Sequence, residues 1–247
     1  MLRSLRALEG CAIRATDGVI GEVRDCYFDD HSWVIRYLVV EAGSWLSSRK
    51  VLISPVAVGH PDWIEKVLPV SLTRAQVRNS PDIDTDRPVS RQHEIRYLGY
   101  YGYPAYWGGS GIWGSGVYPN LMIPDQAGFA ETPPGLRTEA ERNEAAARSN
   151  PGRDEDPHLR SCNIVMSYHV EAEDGDIGHV EDMLIDDSTW AIRHLVVNTS
   201  NWWIGHPVLV TPDSIEAVSW IESTVSVNLT RQAVREAERY DAGVPQL

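Results

Sequence analysis

The sequence predicts a mainly β protein: two small β-barrels made by an internal duplication, each with a short C-terminal helix. Three observations predict it. First, the second half of the chain repeats the first at one offset of 157 residues. Aligning residues 5–78 on 162–235 without a gap gives 28 identities in 74 pairs. Asp17-Gly18 returns as Asp174-Gly175, Trp33, Trp45 and Trp63 as Trp190, Trp202 and Trp220, and Leu72-Thr73-Arg74 as Leu229-Thr230-Arg231. A self-similarity at fixed period sets the domain count before any element is assigned. Second, each repeat is cut into short apolar runs by Asp-Gly, Asp-Asp and Pro turn signals, which is the pattern of strands. Third, the run from Trp33 is apolar on both parities, as a strand buried on both faces must be.

The elements follow in order. Cys11 to Thr16 is a strand, and Asp17-Gly18 is a hairpin turn because glycine tolerates positive φ. Val19 to Asp29 is a longer strand, Asp30-His31-Ser32 the next turn, and Trp33 to Glu41 the most hydrophobic strand. Lys50 to Ile53 is a short strand stopped by Pro55, which has no amide to donate. Trp63 to Val70 reads as another strand, and the three recurring Trp pairs as core. Thr73 to Asn79 is a short helix, with Thr73 and Gln76 spaced as a capping box. Five or so strands and one helix in about 80 residues suggest a small closed barrel.

Residues 1–94 and 158–247 are thus the two barrels, and 95–157 joins them. Tyr97 to Tyr118 holds six Tyr, two Trp and seven Gly in 22 residues and shows neither helical nor strand period. Beyond Met122 the chain turns polar and proline-rich, and it reads as linker.

Composition narrows the function. The chain has 247 residues and a net charge of −13. Residues 1–94 carry 12 basic and 13 acidic side chains, 95–157 carry 5 and 8, and 158–247 carry 5 and 14. A nucleic-acid binder needs a basic face to displace phosphate counterions, so direct nucleic-acid binding is disfavoured, most strongly for the second repeat. Cys11, Cys26 and Cys162 align with Tyr168, Met183 and Leu5, which marks them as small buried hydrophobes. An odd, unpaired set suits a reducing compartment, and no stretch is apolar enough for a membrane span, so the chain reads as cytoplasmic.

The residues Asp17-Gly18 with Ile20-Gly21-Glu22-Val23, Asp29-Asp30 with Trp33 to Val40, Lys50 to Pro55, and Ser71-Leu72-Thr73-Arg74 followed by Asn79 to Asp84 resemble the PRC-barrel family. That family is named for the cytoplasmic domain of the photosynthetic reaction-centre H subunit. Both repeats carry the pattern. The resemblance implies proteins that dock on other proteins and that have no catalytic set to transfer. The H subunit has a membrane helix and one barrel, where this chain shows no such helix and two barrels. Relatives in ribosome maturation carry a further RNA-associated domain that this chain lacks.

Candidate sites are few. Asp25 and Arg36 return as Asp182 and Arg193; a hairpin centred on Asp30-His31 sets Asp25 opposite Arg36, a cross-strand ion pair in each repeat. Tyr100, Tyr101, Tyr103 and Trp107 in the aromatic segment, and the adjacent Trp202 and Trp203, are candidate interface residues. Asp82, Asp84 and Asp86 alternate like the start of a calcium loop, but Arg87 and His93 stand where Gly and Glu are required. The histidines, His169, His179 and His194 among them, read as solvent-facing strand residues. A nucleotide loop, a nucleophile with its base, and a metal spacing are all missing, so no enzyme, cofactor or metal is expected. The expectation is a non-enzymatic interaction or scaffolding protein that binds a protein partner or itself. The alternative is an accessory of a photosynthetic or related membrane complex, peripherally attached and H-subunit-like; ribosome assembly and a ligand-filled barrel rank below it.

Overall fold

The computed structural model describes residues 1–43, 46, 49–81, 89, 91–103, 105–107, 113, 159–199 and 206–241. Its strands are β1 (Leu2–Ser4), β2 (Ala12–Ala15), β3 (Gly18–Asp29), β4 (Val34–Ala42), β5 (Lys50–Ile53), β6 (Val67–Pro69), β7 (Leu159–Ser161), β8 (His169–Ala172), β9 (Gly175–Asp186), β10 (Ile192–Asn198), β11 (Val208–Val210), β12 (Ile215–Ser219) and β13 (Thr224–Val227). The longer helices of the first half are α1 (Arg74–Arg78) and α2 (Arg91–Tyr101). Short helices also span Cys162–Val165 and Arg231–Glu236. The protein is mainly β, as expected. Elements recur at the sequence offset: β2 as β8, β3 as β9, and the single turn Pro55–Ala57 as Pro212–Ser214.

The strands form two sheets, with paths β5-β4-β3-β2-β6 and β11-β10-β9-β8-β13-β12. Both paths are open at their ends among the described residues, so the expected closed cylinders are not drawn by these pairings. Contacts divide the chain into two compact units: Met1–Glu9, Asp25–Arg36 and Arg160–Leu247 in one, Gly10–Arg24 and Tyr37–Leu159 in the other.

The turns use the residues the sequence marked. Gly18 and Gly175 have φ of 142° and 126°, which a side chain rarely adopts. Their neighbours Asp17 and Asp174 accept the backbone N–H of Arg74 and Arg231, each at 2.7 Å, and so stitch a helix start to a hairpin. Thr73 and Gln76 form the expected capping box on α1. Asp29 accepts from the amides of His31 (2.9 Å) and Ser32 (3.3 Å) to build the β3–β4 turn. Trp33 and Trp190, at φ of 54° and 61°, close the two corresponding turns. Left-handed backbone is strained for so bulky a residue, and both indoles are held there by burial.

β4 is buried along nearly its whole length, Arg36 included, as its two-faced apolarity required. Two expectations change. Trp63 to Val70 is not one strand: β6 begins only at Val67, and residues 63–66 are a turn between Asp62 and Val67, which bridge each other. Asp62 accepts from the amides of Ile64 (3.1 Å) and Glu65 (3.0 Å), a local bond that competes with sheet pairing. The aromatic segment also opens in helix, since α2 runs through Tyr97 to Tyr101. Its period was hidden because tyrosines occupy both its buried and its exposed sides.

The sheets share one irregularity. β2 pairs with β3 only from Gly18 to Glu22, and β8 with β9 only from Gly175 to His179. The far half of each long strand is edged by a distant three-residue arm instead. β1 pairs with β9 across Leu184–Asp186, and β7 pairs with β3.

Gly21 and Gly178 mark where β3 and β9 are crossed closely. A Cβ on either would stand 1.9 Å from a carbonyl oxygen, that of Glu41 or Asn198. Backbone cannot yield as a flexible side chain would. Gly21→Ala and Gly178→Ala are each expected to destabilise by about 2–3 kcal/mol, measured by urea unfolding; a loss under about 0.5 kcal/mol would show that the crossing is looser.

Candidate interaction sites

The arm joint lies within one compact unit and is built from repeated residues. Asp25 accepts from Ser161 Oγ at 2.6 Å, from the Asn163 amide at 3.1 Å and from the Cys26 amide at 2.7 Å. Its equivalent Asp182 accepts from Ser4 Oγ, from the Arg6 amide at 3.4 Å and from the Met183 amide at 2.8 Å. Arg160 pairs with Asp30 at 2.7 Å, and Arg3 with Asp187 at 3.4 Å. Between the arms, the Ile35 amide donates to Trp190 O (2.9 Å) and the Ile192 amide to Trp33 O (2.7 Å). Val34 bridges Ala191 at the midpoint. Every member of this set has its partner at the offset of 157 residues. Burial pushes the Asp182 carboxyl above its ordinary value, and bonds from Ser4, Met183 and Arg6 offset that only in part.

The expected Asp25–Arg36 and Asp182–Arg193 pairs are replaced by others. Arg36 pairs with Asp29 at 3.2 Å and also donates to Ser32 Oγ; Arg193 pairs with Asp186 at 3.6 Å. The cause is register. In β9–β10, Ile192 already faces Ile185, two places beyond the expected pairing, and a bulge at Arg193 adds one more, so that Val196 faces Asp182. The aspartates thereby become arm receptors. The sequence held a signal for this: Leu2-Arg3-Ser4 is repeated as Leu159-Arg160-Ser161, just outside the aligned core.

The predicted aromatic interface is largely a packed cluster. Tyr37 of β4 meets Tyr97 edge-on at 5.3 Å, Tyr97 meets Tyr101 at 4.8 Å, and Tyr101 stacks on Tyr103 at 5.4 Å. Tyr97 Oη donates to Leu52 O (3.1 Å) and accepts from the Ser54 amide (3.0 Å), fastening α2 to the end of β5. At the centre is Glu94, fully buried, which accepts from Tyr37 Oη at 2.9 Å and Tyr106 Oη at 2.7 Å and pairs with Arg91 at 3.1 Å. Arg91 lies 4.0 Å over the Trp107 ring. Tyr101 is therefore core, while Tyr103 and Trp107 are partly buried. Tyr100 is exposed and donates to Gln76 O. Burial, with Glu94 beside it, lifts the Tyr37 phenol well above its usual range, so it stays a proton donor to that carboxylate. Trp202 and Trp203 lie outside the described residues, as do Asp82, Asp84 and Asp86.

The exposed apolar surface is elsewhere. Ile64 and Ile221 are 92% and 94% exposed, and Trp220 is 50% exposed. They belong to the same tripeptide, Trp63-Ile64-Glu65 and Trp220-Ile221-Glu222, at the tip of a turn in each half. Trp220 was expected in the core, because its recurrence with Trp63 was read as packing. A Trp-Ile pair preceded by a capping Asp or Ser was the signal for a loop tip.

Among the described residues no group of three or more His, Cys, Asp and Glu is placed to hold a metal ion. The cysteines are buried and unbridged, and burial, ahead of the nearby Cys26, Asp25 and Asp182, pushes the Cys162 thiol far up, away from nucleophilic use. Burial lowers the His194 pKa below its usual value. No helix among the described residues is long and apolar enough to cross a membrane.

Residues 2–73 match the family model of the PRC-barrel domain. A Deinococcus radiodurans protein, named only as an uncharacterized protein, is 37% identical over 73 residues, which make 30% of this chain and 26% of that protein. The chain thus spans about a quarter of that relative's length.

The offset-related ion pairs differ in environment: the Arg36 side chain is 2% exposed and that of Arg193 is 50%. Arg36→Ala is expected to destabilise by about 3 kcal/mol, and Arg193→Ala by under about 1 kcal/mol. Equal losses would contradict the burial argument. Burial raises the Asp29 carboxyl, but Arg36, Ser32 and the His31 amide outweigh it and hold the group below its ordinary 3.8. A depressed acid stabilises the fold above pH 3.8 and loses that contribution as the pH falls through its folded value. The stability gap between wild type and Asp29→Asn should therefore narrow below pH 3.8, followed by unfolding at stepped pH.

Proposed function

Because residues 2–73 carry a PRC-barrel domain, we propose that the protein is a non-enzymatic interaction or scaffolding protein, with a second PRC-type domain in its repeated half. PRC-barrel domains commonly mediate protein interactions. The observation that carries the reading is the solvent-exposed Ile of the Trp-Ile-Glu turn in both halves, joined in the second by an exposed Trp220. Ile64 and Ile221 fill no part of the core, so packing gives no reason to keep them. Exposed aromatic and aliphatic side chains ringed by polar ones are the usual anchors of a protein interface. The acidic balance directs the partner away from nucleic acid and towards protein. We place the protein in the cytoplasm, on its unbridged cysteines.

The test is a tagged pull-down from the source cells, with soluble and membrane fractions analysed separately by mass spectrometry, beside an Ile64→Ser/Ile221→Ser variant. Surface substitutions of this kind change stability by no more than about 0.5 kcal/mol, so lost capture is not lost folding. A protein captured by wild type and lost by the variant supports the reading. Capture unchanged by the variant removes the tips from the account. Enrichment of an integral membrane complex would favour the H-subunit-like accessory.

A further inference from the structure

We propose that the arm grooves on β3 and β9 accept arms from a second copy, so that the chain pairs with itself by trading Leu-Arg-Ser strands. The inference deepens the interaction reading by naming one partner, another copy of the chain.

Three observations lead to it. The arms are interchangeable: Leu2-Arg3-Ser4 and Leu159-Arg160-Ser161 are the same tripeptide, and each is received by the same groups, an aspartate for the serine (Asp182 or Asp25) and an aspartate for the arginine (Asp187 or Asp30). The arms are already exchanged within the chain. Ser4 reaches Asp182 across 178 positions and Ser161 reaches Asp25 across 136, so each groove is filled by a segment of the other half. And β1 is only three residues long and partly exposed at every position, which places it at the easily opened end of the stability range.

A groove whose arm has left is an unpaired strand edge. It accepts a new strand through the same main-chain bonds, with the serine and arginine sites selecting the pattern. The closed chain and the arm-traded pair then contain identical bonds. What decides between them is concentration, set against the effective concentration of the tethered arm, on the order of millimolar for a short tether. Two copies that each give β1 to the other form a closed two-fold pair with no groove left open.

The test uses two purified full-length variants, Ser4→Cys and Asp182→Cys, whose substituted side chains replace a hydrogen-bonded pair. They are mixed, incubated with oxidised glutathione, and resolved by non-reducing electrophoresis with peptide mapping. The double variant S4C/D182C reports whether the bond closes within one chain. The expected result is a covalent pair joined between positions 4 and 182, abundant at ~1 mM and at least tenfold scarcer at ~10 µM. The proposal is overturned if the double variant closes while the mixed single variants stay unlinked at both concentrations, even after unfolding and refolding together. It is equally overturned if linkage runs through Cys11, Cys26 or Cys162, or if the double variant does not close. The experiment needs no other protein, so its failure leaves the pull-down with the Ile64 and Ile221 variant untouched.

Discussion

A long strand beside a short one imposes the constraint on which this structure rests. β3 and β9 each have 12 residues, while their hairpin partners β2 and β8 have four. The hairpin turn fixes which end is paired, so along that edge the other half of each long strand presents backbone N–H and C=O groups with no neighbour, its opposite edge being paired with β4 or β10. Buried polar groups of that kind cannot be left unmet. The arms β1 and β7 meet them, and the repeat that each arm serves is not its own. The serine–aspartate contacts, the arginine–aspartate pairs and the crossing at Val34 and Ala191 all belong to this solution.

The same repeated sequence is put to different uses in its two halves. Arg36 is sealed in and Arg193 is half exposed, although both pair with the aspartate at the end of the preceding strand. Tyr37 joins the phenol cluster around Glu94, whereas the equivalent His194 has no such cluster among the described residues. At Tyr37 the difference follows from α2, whose Tyr97 meets it edge-on and whose Glu94 accepts its hydroxyl.

Much of this was legible in the sequence. The Asp-Gly turns, the capping box at Thr73, the two-faced burial of β4 and the shared element order were readable because each depends on neighbours within a few residues. The arms were not, because three residues cannot display an alternation, and their partners stand more than a hundred positions away. The Asp182–Arg193 pairing failed for a related reason. Counting from a turn assumes the turn's length and an unbroken ladder; the turn after β9 is longer than counted, and the bulge at Arg193 shifts the ladder once more. The Trp-Ile tips were hidden by the ordinary expectation that a recurring tryptophan is core. Tyr101 was misplaced for the converse reason, since a glycine- and tyrosine-rich run does not announce a helix.

Amide hydrogen exchange, compared between the intact chain and one lacking residues 1–4, tests most directly whether β1 completes β9. The Asp187 amide donates to Met1 O at 3.1 Å, while the adjacent Asp186 amide donates to Ala191 O at 2.9 Å. The arm account predicts that truncation strips protection from Asp187 and leaves Asp186 protected. Equal protection of both amides in the two chains would show that β9 needs no arm, and would contradict the account at its base.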